Sequence, residues 1–140
     1  MSRRGRCINV MMSSKFQVLV CDDSLLIRKK LREMLEKKDG IEVLEAANGK
    51  EAVHICKTNR ISIVFLDIVM PEQDGLEALI DIKQIDPSII VIMVSSVGTE
   101  GNLRKAIKTG VSDFIQKPVT PENVELILSK YLYRGEEQHV

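Results

Sequence analysis

The segment Ile61-Ser62-Ile63-Val64-Phe65-Leu66-Asp67-Ile68-Val69-Met70-Pro71 constrains this chain more than any other. Ile63 to Leu66 is an uninterrupted run of β-branched, aromatic and aliphatic residues, and the segment reaches a carboxylate at Asp67. An apolar run without alternation reads as a strand buried on both faces, as in a parallel sheet covered by helices. Pro71 cannot continue a central strand, so the chain turns there. Asp67 thus marks where a buried strand emerges, on the rim where open α/β sheets bind ligands.

The rest of the chain repeats this pattern. Phe16 to Cys21 is a strand candidate ending on Asp22-Asp23. Ser24 caps a helix with Ile27, Leu31, Met34 and Leu35 at helical spacing, and Asp39-Gly40 ends it. Ile41 to Glu45 is a shorter, more polar strand suited to a sheet edge. Asn48-Gly49 reads as a turn before a helix from Glu51 to Thr58. Asp74-Gly75 opens a helix closed by Asp86-Pro87. Ile89 to Val94 is a fourth strand and ends on Ser95-Ser96. Glu100 to Thr109 is a helix stopped by Gly110. Ser112 to Gln116 is a fifth strand, followed by Lys117-Pro118. Thr120, Pro121 and Glu122 suit the start of a last helix. Five β-α units predict one α/β domain with a parallel sheet and helices on both faces.

Composition narrows the function classes. Of the 140 residues, 44% are hydrophobic, enough for one core. Twenty basic residues balance twenty acidic ones, which argues against a nucleic-acid partner. No apolar run approaches the ~20 residues of a membrane span. Cys7, Cys21 and Cys56 have no metal-like spacing and point to a reducing compartment, the cytoplasm. Cys21 and Cys56 are expected as small buried hydrophobes. His54 and His139 are expected at the surface, and Lys29, Lys30, Lys37 and Lys38 on a solvated helix face. Residues 1–14, with Arg3, Arg4 and Arg6, read as a disordered N-terminal extension. Residues 15–133 form the domain, and 134–140 a polar tail.

Four of the five strands end on polar residues able to do chemistry: Asp22/Asp23, Asp67, Ser95 and Lys117. In a parallel sheet these ends share one rim. Three carboxylates gathered there would repel, and a divalent cation with oxygen ligands offsets that repulsion. Mg²⁺ prefers few carboxylates, several waters and phosphate oxygens. A carboxylate beside Mg²⁺ is also a potential nucleophile towards phosphorus. Lys117 would balance phosphoryl charge, and Ser95 could hydrogen-bond a phosphoryl oxygen.

The motifs Val20-Cys21-Asp22-Asp23-Ser24, Leu66-Asp67-Ile68-Val69-Met70-Pro71 with Asp74-Gly75, Val94-Ser95-Ser96 and Asp113-Phe114-Ile115-Gln116-Lys117-Pro118 occur in one order along the chain. In this the sequence resembles a response-regulator receiver domain of the CheY type, over about residues 15 to 133. The resemblance implies a flavodoxin-like, doubly wound five-stranded parallel sheet of order 2-1-3-4-5 with five helices, an order known for CheY itself. It implies a stand-alone switch of a two-component system. Asp67 would be the phosphoacceptor, served by a sensor histidine kinase or a histidine phosphotransfer protein. Asp22, Asp23, Asp67 and the backbone carbonyl of Val69 would bind Mg²⁺. Lys117 would pair with the phosphoryl group, across a cis bond to Pro118. Ser95 and Phe114 would act as the switch, re-shaping the face of the fourth helix, fifth strand and fifth helix for an output protein in trans. A phosphatase is a further partner.

Phe114 stands where the family often has Tyr, and a fixed core aromatic is the competing reading of it. Val69 and Val97 offer no polar side chain to an attacking water, which predicts slow self-dephosphorylation. Two rival functions remain. A phosphatase with an aspartyl nucleophile would want a second acid two residues after Asp67, where Val69 stands. A degenerate receiver would act as an adaptor without phosphorylation.

Overall fold

The computed structural model describes residues 16–68, 70, 75–96 and 100–132. The expected extension (1–14) and tail (134–140) lie outside these residues, as do Val69, Asp74, Val97 and His139.

The chain alternates strand and helix five times: β1 (Phe16–Cys21), α1 (Leu25–Glu36), β2 (Ile41–Ala46), α2 (Gly49–Thr58), β3 (Ile61–Asp67), α3 (Gly75–Ile85), β4 (Ile90–Ser95), α4 (Glu100–Thr109), β5 (Asp113–Gln116) and α5 (Pro121–Tyr131). All strands are parallel, in the order β2-β1-β3-β4-β5. The polar β2 is an edge strand, as its composition implied, and β5 is the other edge.

The continuous apolar runs are explained by the two faces of the sheet. Val18, Val20, Ile63, Phe65, Ile92 and Val94 pack under α1 and α5, against Leu31, Leu35, Val124, Ile127 and Leu128. Their strand neighbours Leu19, Cys21, Val64, Leu66, Val91 and Met93 point the other way, in one cluster with residues of α2, α3 and α4. Alternate side chains thus bury on opposite faces, so a strand between two helical layers has no polar face to display.

Strand limits fall within one residue of expectation, while two helix boundaries differ by more. Asn48-Gly49 is not a free turn. The Asn48 side chain caps α2 by accepting from the Glu51 N–H at 2.9 Å, and Glu51 Oε1 accepts from the Ala47 N–H at 2.7 Å. This reciprocal cap starts the helix at Gly49, before the first apolar position. At the other end, α1 stops at Glu36 rather than running to Asp39-Gly40. Gly40, at φ +85°, instead serves the turn into β2, where its carbonyl accepts from the Phe16 N–H at 2.7 Å.

Candidate functional site

The register of the sheet assembles the site. Cys21 pairs with Leu66, so Asp22 and Asp67, one residue further on each strand, emerge at the same level. Asp67 pairs with Val94 across β3 and β4, and Ser95 with Gln116 across β4 and β5. Ser95 and Lys117 therefore follow one step later along the same rim. Lys117 is tied back through its own N–H, which donates to the Ser95 carbonyl at 2.7 Å, and its bond to Pro118 is cis.

Asp22 and Asp67 are buried, at 2% and 6% exposure, while Asp23 is exposed. Lys117 Nζ lies 3.2 Å from Asp22 Oδ2 and 3.3 Å from Asp67 Oδ2, bridging the two. Burial alone would lower the Lys117 pKa. The carboxylates of Asp67 and Asp22 outweigh it and raise the pKa above its ordinary 10.5, so the ammonium stays charged at neutral pH. Four of the residues expected from sequence, Asp22, Asp23, Asp67 and Lys117, thus form one cluster.

The two expected switch residues lie beside it. Ser95 is buried, and its hydroxyl sits 3.5 Å from the Ile115 carbonyl oxygen, at the outer limit of a hydrogen bond. Phe114 is 47% exposed, since only Ile115 of β5 is buried. That overturns the reading of Phe114 as a fixed core aromatic: the strand's alternation turns it away from the sheet. The expected Val69 carbonyl ligand lies outside the described residues.

The pocket's donor set suits Mg²⁺. One oxygen from each of Asp22, Asp23 and Asp67 lies within 4.8 Å of the others. The donors are hard oxygens, and the neighbouring thiol does not compete. Burial, then the charges of Asp22 and Asp67, push the Cys21 pKa up and keep it protonated. The Cys21 sulfur lies 3.3 Å from both the Asn48 carbonyl oxygen and Met70 Sδ, and its one S–H can donate to either. Burial likewise pushes Cys56 up to about 11, so both cysteines behave as the small hydrophobes expected.

Three further residues shape the site, and of them the sequence reading had drawn only Gly75, in Asp74-Gly75, into a motif. A Cβ on Gly75 would lie 2.3 Å from the Asp67 carbonyl oxygen and 2.7 Å from Ile68 Cα. The first turn of α3 thus rests on the backbone of the acidic strand end, and the Gly75 N–H donates to the Ile68 carbonyl at 2.8 Å. On the other side, Arg28 donates to the Asp22 carbonyl at 2.7 Å and to Glu45 at 3.1 Å. Glu45 also pairs with Lys29 and Arg32, so Lys29 is a network member and not simply solvated. The available signal was the charge of Glu45 at a strand end opposite the basic residues of α1.

Burial would raise the Glu45 pKa, but hydrogen bonds from Arg32, Arg28 and Lys29 outweigh it and hold it below the ordinary 4.5. A carboxylate depressed in the folded state stabilises the fold above its unfolded pKa, and that contribution is lost as pH falls through the folded value. Glu45→Gln should therefore unfold at lower temperature than the parent protein at pH 7. The gap between their melting temperatures should close as pH drops below 4.5. A gap independent of pH would show that the charge contributes nothing.

A groove of about 530 Å³ borders Lys117, lined among others by Ile27, Leu31, Met34, Pro118 and Val119. Leu25 and Leu26, on the first turn of α1, are 59% and 64% exposed. Among the described residues, no helix is long and apolar enough to cross a membrane.

Comparisons with known proteins agree with this geometry. The family profile described as "Response regulator receiver domain" matches residues 18–129. The chemotaxis protein CheY of Halobacterium salinarum is 42% identical over 116 residues, covering 83% of this chain and 96% of that protein. The CheY of Listeria monocytogenes is 43% identical over 114 residues, covering 81% and 96%. Among solved structures, a CheY-like receiver domain from Methanospirillum hungatei superposes with a TM-score of 0.81 at 26% identity, covering 89% of this chain and 99% of that one.

Proposed function

Because this chain belongs to the response regulator receiver family, whose members are phosphorylation switches in two-component signalling, we propose that Asp67 is its phosphoacceptor. The observation behind this reading is the bridge of Lys117 to Asp22 and Asp67, which sets an ammonium where phosphoryl charge would arrive. In the transfer, an Asp67 carboxylate oxygen forms a bond to phosphorus as the bond from phosphorus to a donor imidazole nitrogen breaks. The imidazole keeps the electron pair and takes up a proton. The donor is the phosphohistidine of a sensor kinase or a phosphotransfer protein. The groove beside Lys117, with exposed Leu25 and Leu26 nearby, gives such a protein apolar surface to rest on.

Receiver domains generally bind Mg²⁺ through acidic residues. Here Asp22, Asp23 and Asp67, with the Val69 carbonyl, would hold it. When bound, the cation neutralises carboxylate and phosphoryl charge. Lys117 leaves part of its ion pair with the carboxylates to meet the phosphoryl oxygens. Ser95 gives up its long contact with Ile115 to donate to one of them, which costs little at 3.5 Å. Phe114, turned outward in this state, then has room to move inward. The face formed by α4, β5 and α5 changes shape, and an output protein in trans reads the change. The switch needs only differential affinity of two states, so a population shift is enough. This supports a signalling switch acting in the cytoplasm, with catalysis limited to its own phosphorylation and dephosphorylation.

The test is intact-mass spectrometry after incubation with acetyl phosphate, with and without Mg²⁺. One added phosphoryl mass is expected only with Mg²⁺. No adduct, in protein shown by calorimetry to bind Mg²⁺, would sink the assignment.

A further inference from the structure

We propose that Arg28 is a positioning residue for the acidic pocket. Held by Glu45, its guanidinium fixes the peptide that joins Asp22 to Asp23, and through it the direction of both carboxylates. The inference deepens the proposed Mg²⁺ role of that pocket and rests on it.

In the loop between β1 and α1, Asp22 has three hydrogen bonds besides its ion pair with Lys117. The Asp22 N–H donates to the Ala46 carbonyl at 3.1 Å. Asp22 Oδ1 accepts from the Ser24 N–H at 2.9 Å. The third tie is Arg28 Nη1 on the Asp22 carbonyl at 2.7 Å. Without it, the peptide plane between the two acids could rotate, and Asp23, exposed at the rim, would turn with it. Arg28 is well placed to hold this plane because it is itself held. Its Nε donates to Glu45 Oε1 at 3.1 Å, and its side chain is only 14% exposed.

Glu45 does not depend on Arg28 for its place. It also accepts from Lys29 at 3.4 Å and from Arg32, which reaches the Val43 carbonyl at 3.1 Å. The clamp therefore runs from the end of β2 through a rigid planar fork to the metal loop. Two directional bonds from one guanidinium are something Lys cannot reproduce.

A bare charge effect has the opposite sign. A positive group beside the pocket opposes a divalent cation, so removing it should tighten Mg²⁺ binding. Loss of positioning should weaken it. Groups that orient metal ligands typically change affinity about 10–100-fold, and an indirect hold on the backbone predicts about tenfold.

The experiment is Mg²⁺ titration calorimetry on the full chain, for the parent protein, Arg28→Gln, Arg28→Lys, Glu45→Gln and the Arg28→Gln/Glu45→Gln pair. Melting temperatures are recorded alongside. Weaker binding is expected for Arg28→Gln, for Arg28→Lys despite its retained charge, and less so for Glu45→Gln. The pair should lose no more than Arg28→Gln alone, because Glu45 acts through Arg28. Equal or tighter binding by Arg28→Gln, or additive losses in the pair, would overturn the proposal. Should Arg28→Gln not fold, unchanged affinity in Arg28→Lys would overturn it equally. A parent protein that fails to bind Mg²⁺ refutes the pocket's metal role itself, and positioning with it. A binding parent with an unaffected Arg28→Gln refutes positioning alone.

Discussion

Asp67→Asn should take up no phosphoryl group from acetyl phosphate, while melting at a higher temperature than the parent protein in metal-free buffer. The first effect is chemical. An amide has no carboxylate oxygen to form an acyl phosphate, and Asp67 is the acid that the central strand carries beside Lys117. The second is electrostatic. At an effective dielectric of about 20, unit charges 4 Å apart interact by about 4 kcal/mol. Asp67 gains about that much from Lys117 but faces repulsion from both Asp22 and Asp23, the latter reduced by its exposure. Asn keeps the shape and hydrogen-bonding capacity without the charge. A gain of about 1 kcal/mol, a few degrees in Tm, is expected. Measured together, the two readouts separate lost chemistry from lost folding. An unchanged or lower Tm would count against a crowded acid pocket, and a surviving adduct would move the phosphoacceptor elsewhere.

Gly75→Ala should cost about 3 kcal/mol, at the upper end for overpacking, because the atoms it meets are backbone. The added methyl would sit 2.3 Å from the Asp67 carbonyl oxygen and 2.8 Å from that of Ile68, and neither can swing aside like a side chain. Relief requires α3 to lift from the strand end or β3 to shift, and either disturbs Asp67. Urea unfolding should show the lower midpoint, with reduced phosphorylation at matched folded fraction. Gly101→Ala is the control: its Cβ would meet nothing within 4 Å, so it should be neutral or slightly stabilising. A Gly75→Ala variant as stable as the parent, matching Gly101→Ala, would show that helix propensity, and not the close approach, governs Gly75.

The contrast between these residues explains what could be read in the sequence. The sheet was legible because burial on both faces leaves a one-dimensional mark, as in Ile63 to Leu66, and because β-α alternation fixes parallel topology. Asp22, Asp23, Asp67 and Ser95 were legible because each lies at the end of such a run, and Lys117 because it follows the last strand of the alternation. Gly75 was read as part of a helix start and of the motif with Asp74, and not as a packing point, since a glycine after an aspartate looks the same whether or not another backbone lies against it. Arg28 was one of several charges on α1. Its contact with Asp22 depends on the angle at which α1 crosses the loop, which periodicity does not encode. Asn48-Gly49 misled for a local reason: the dipeptide favours a turn, and the cap completed by Glu51 decides the outcome instead.

Strand β5 is four residues long and lies at the sheet's edge, where it pairs with β4 on one side and is otherwise held by side-chain bonds from Lys130 and Tyr131 to Asp113. Asp67, the proposed phosphoacceptor, lies on β3, clamped between β1 and β4. Local opening is cheapest where backbone ties are fewest. Under the proposed function the molecule would separate two mechanical duties: a stiff centre to keep the reacting geometry fixed, and a compliant margin to convert a small energetic bias into displacement. Changes in β5 that soften or stiffen that margin would alter the gain of the signal while leaving its trigger untouched.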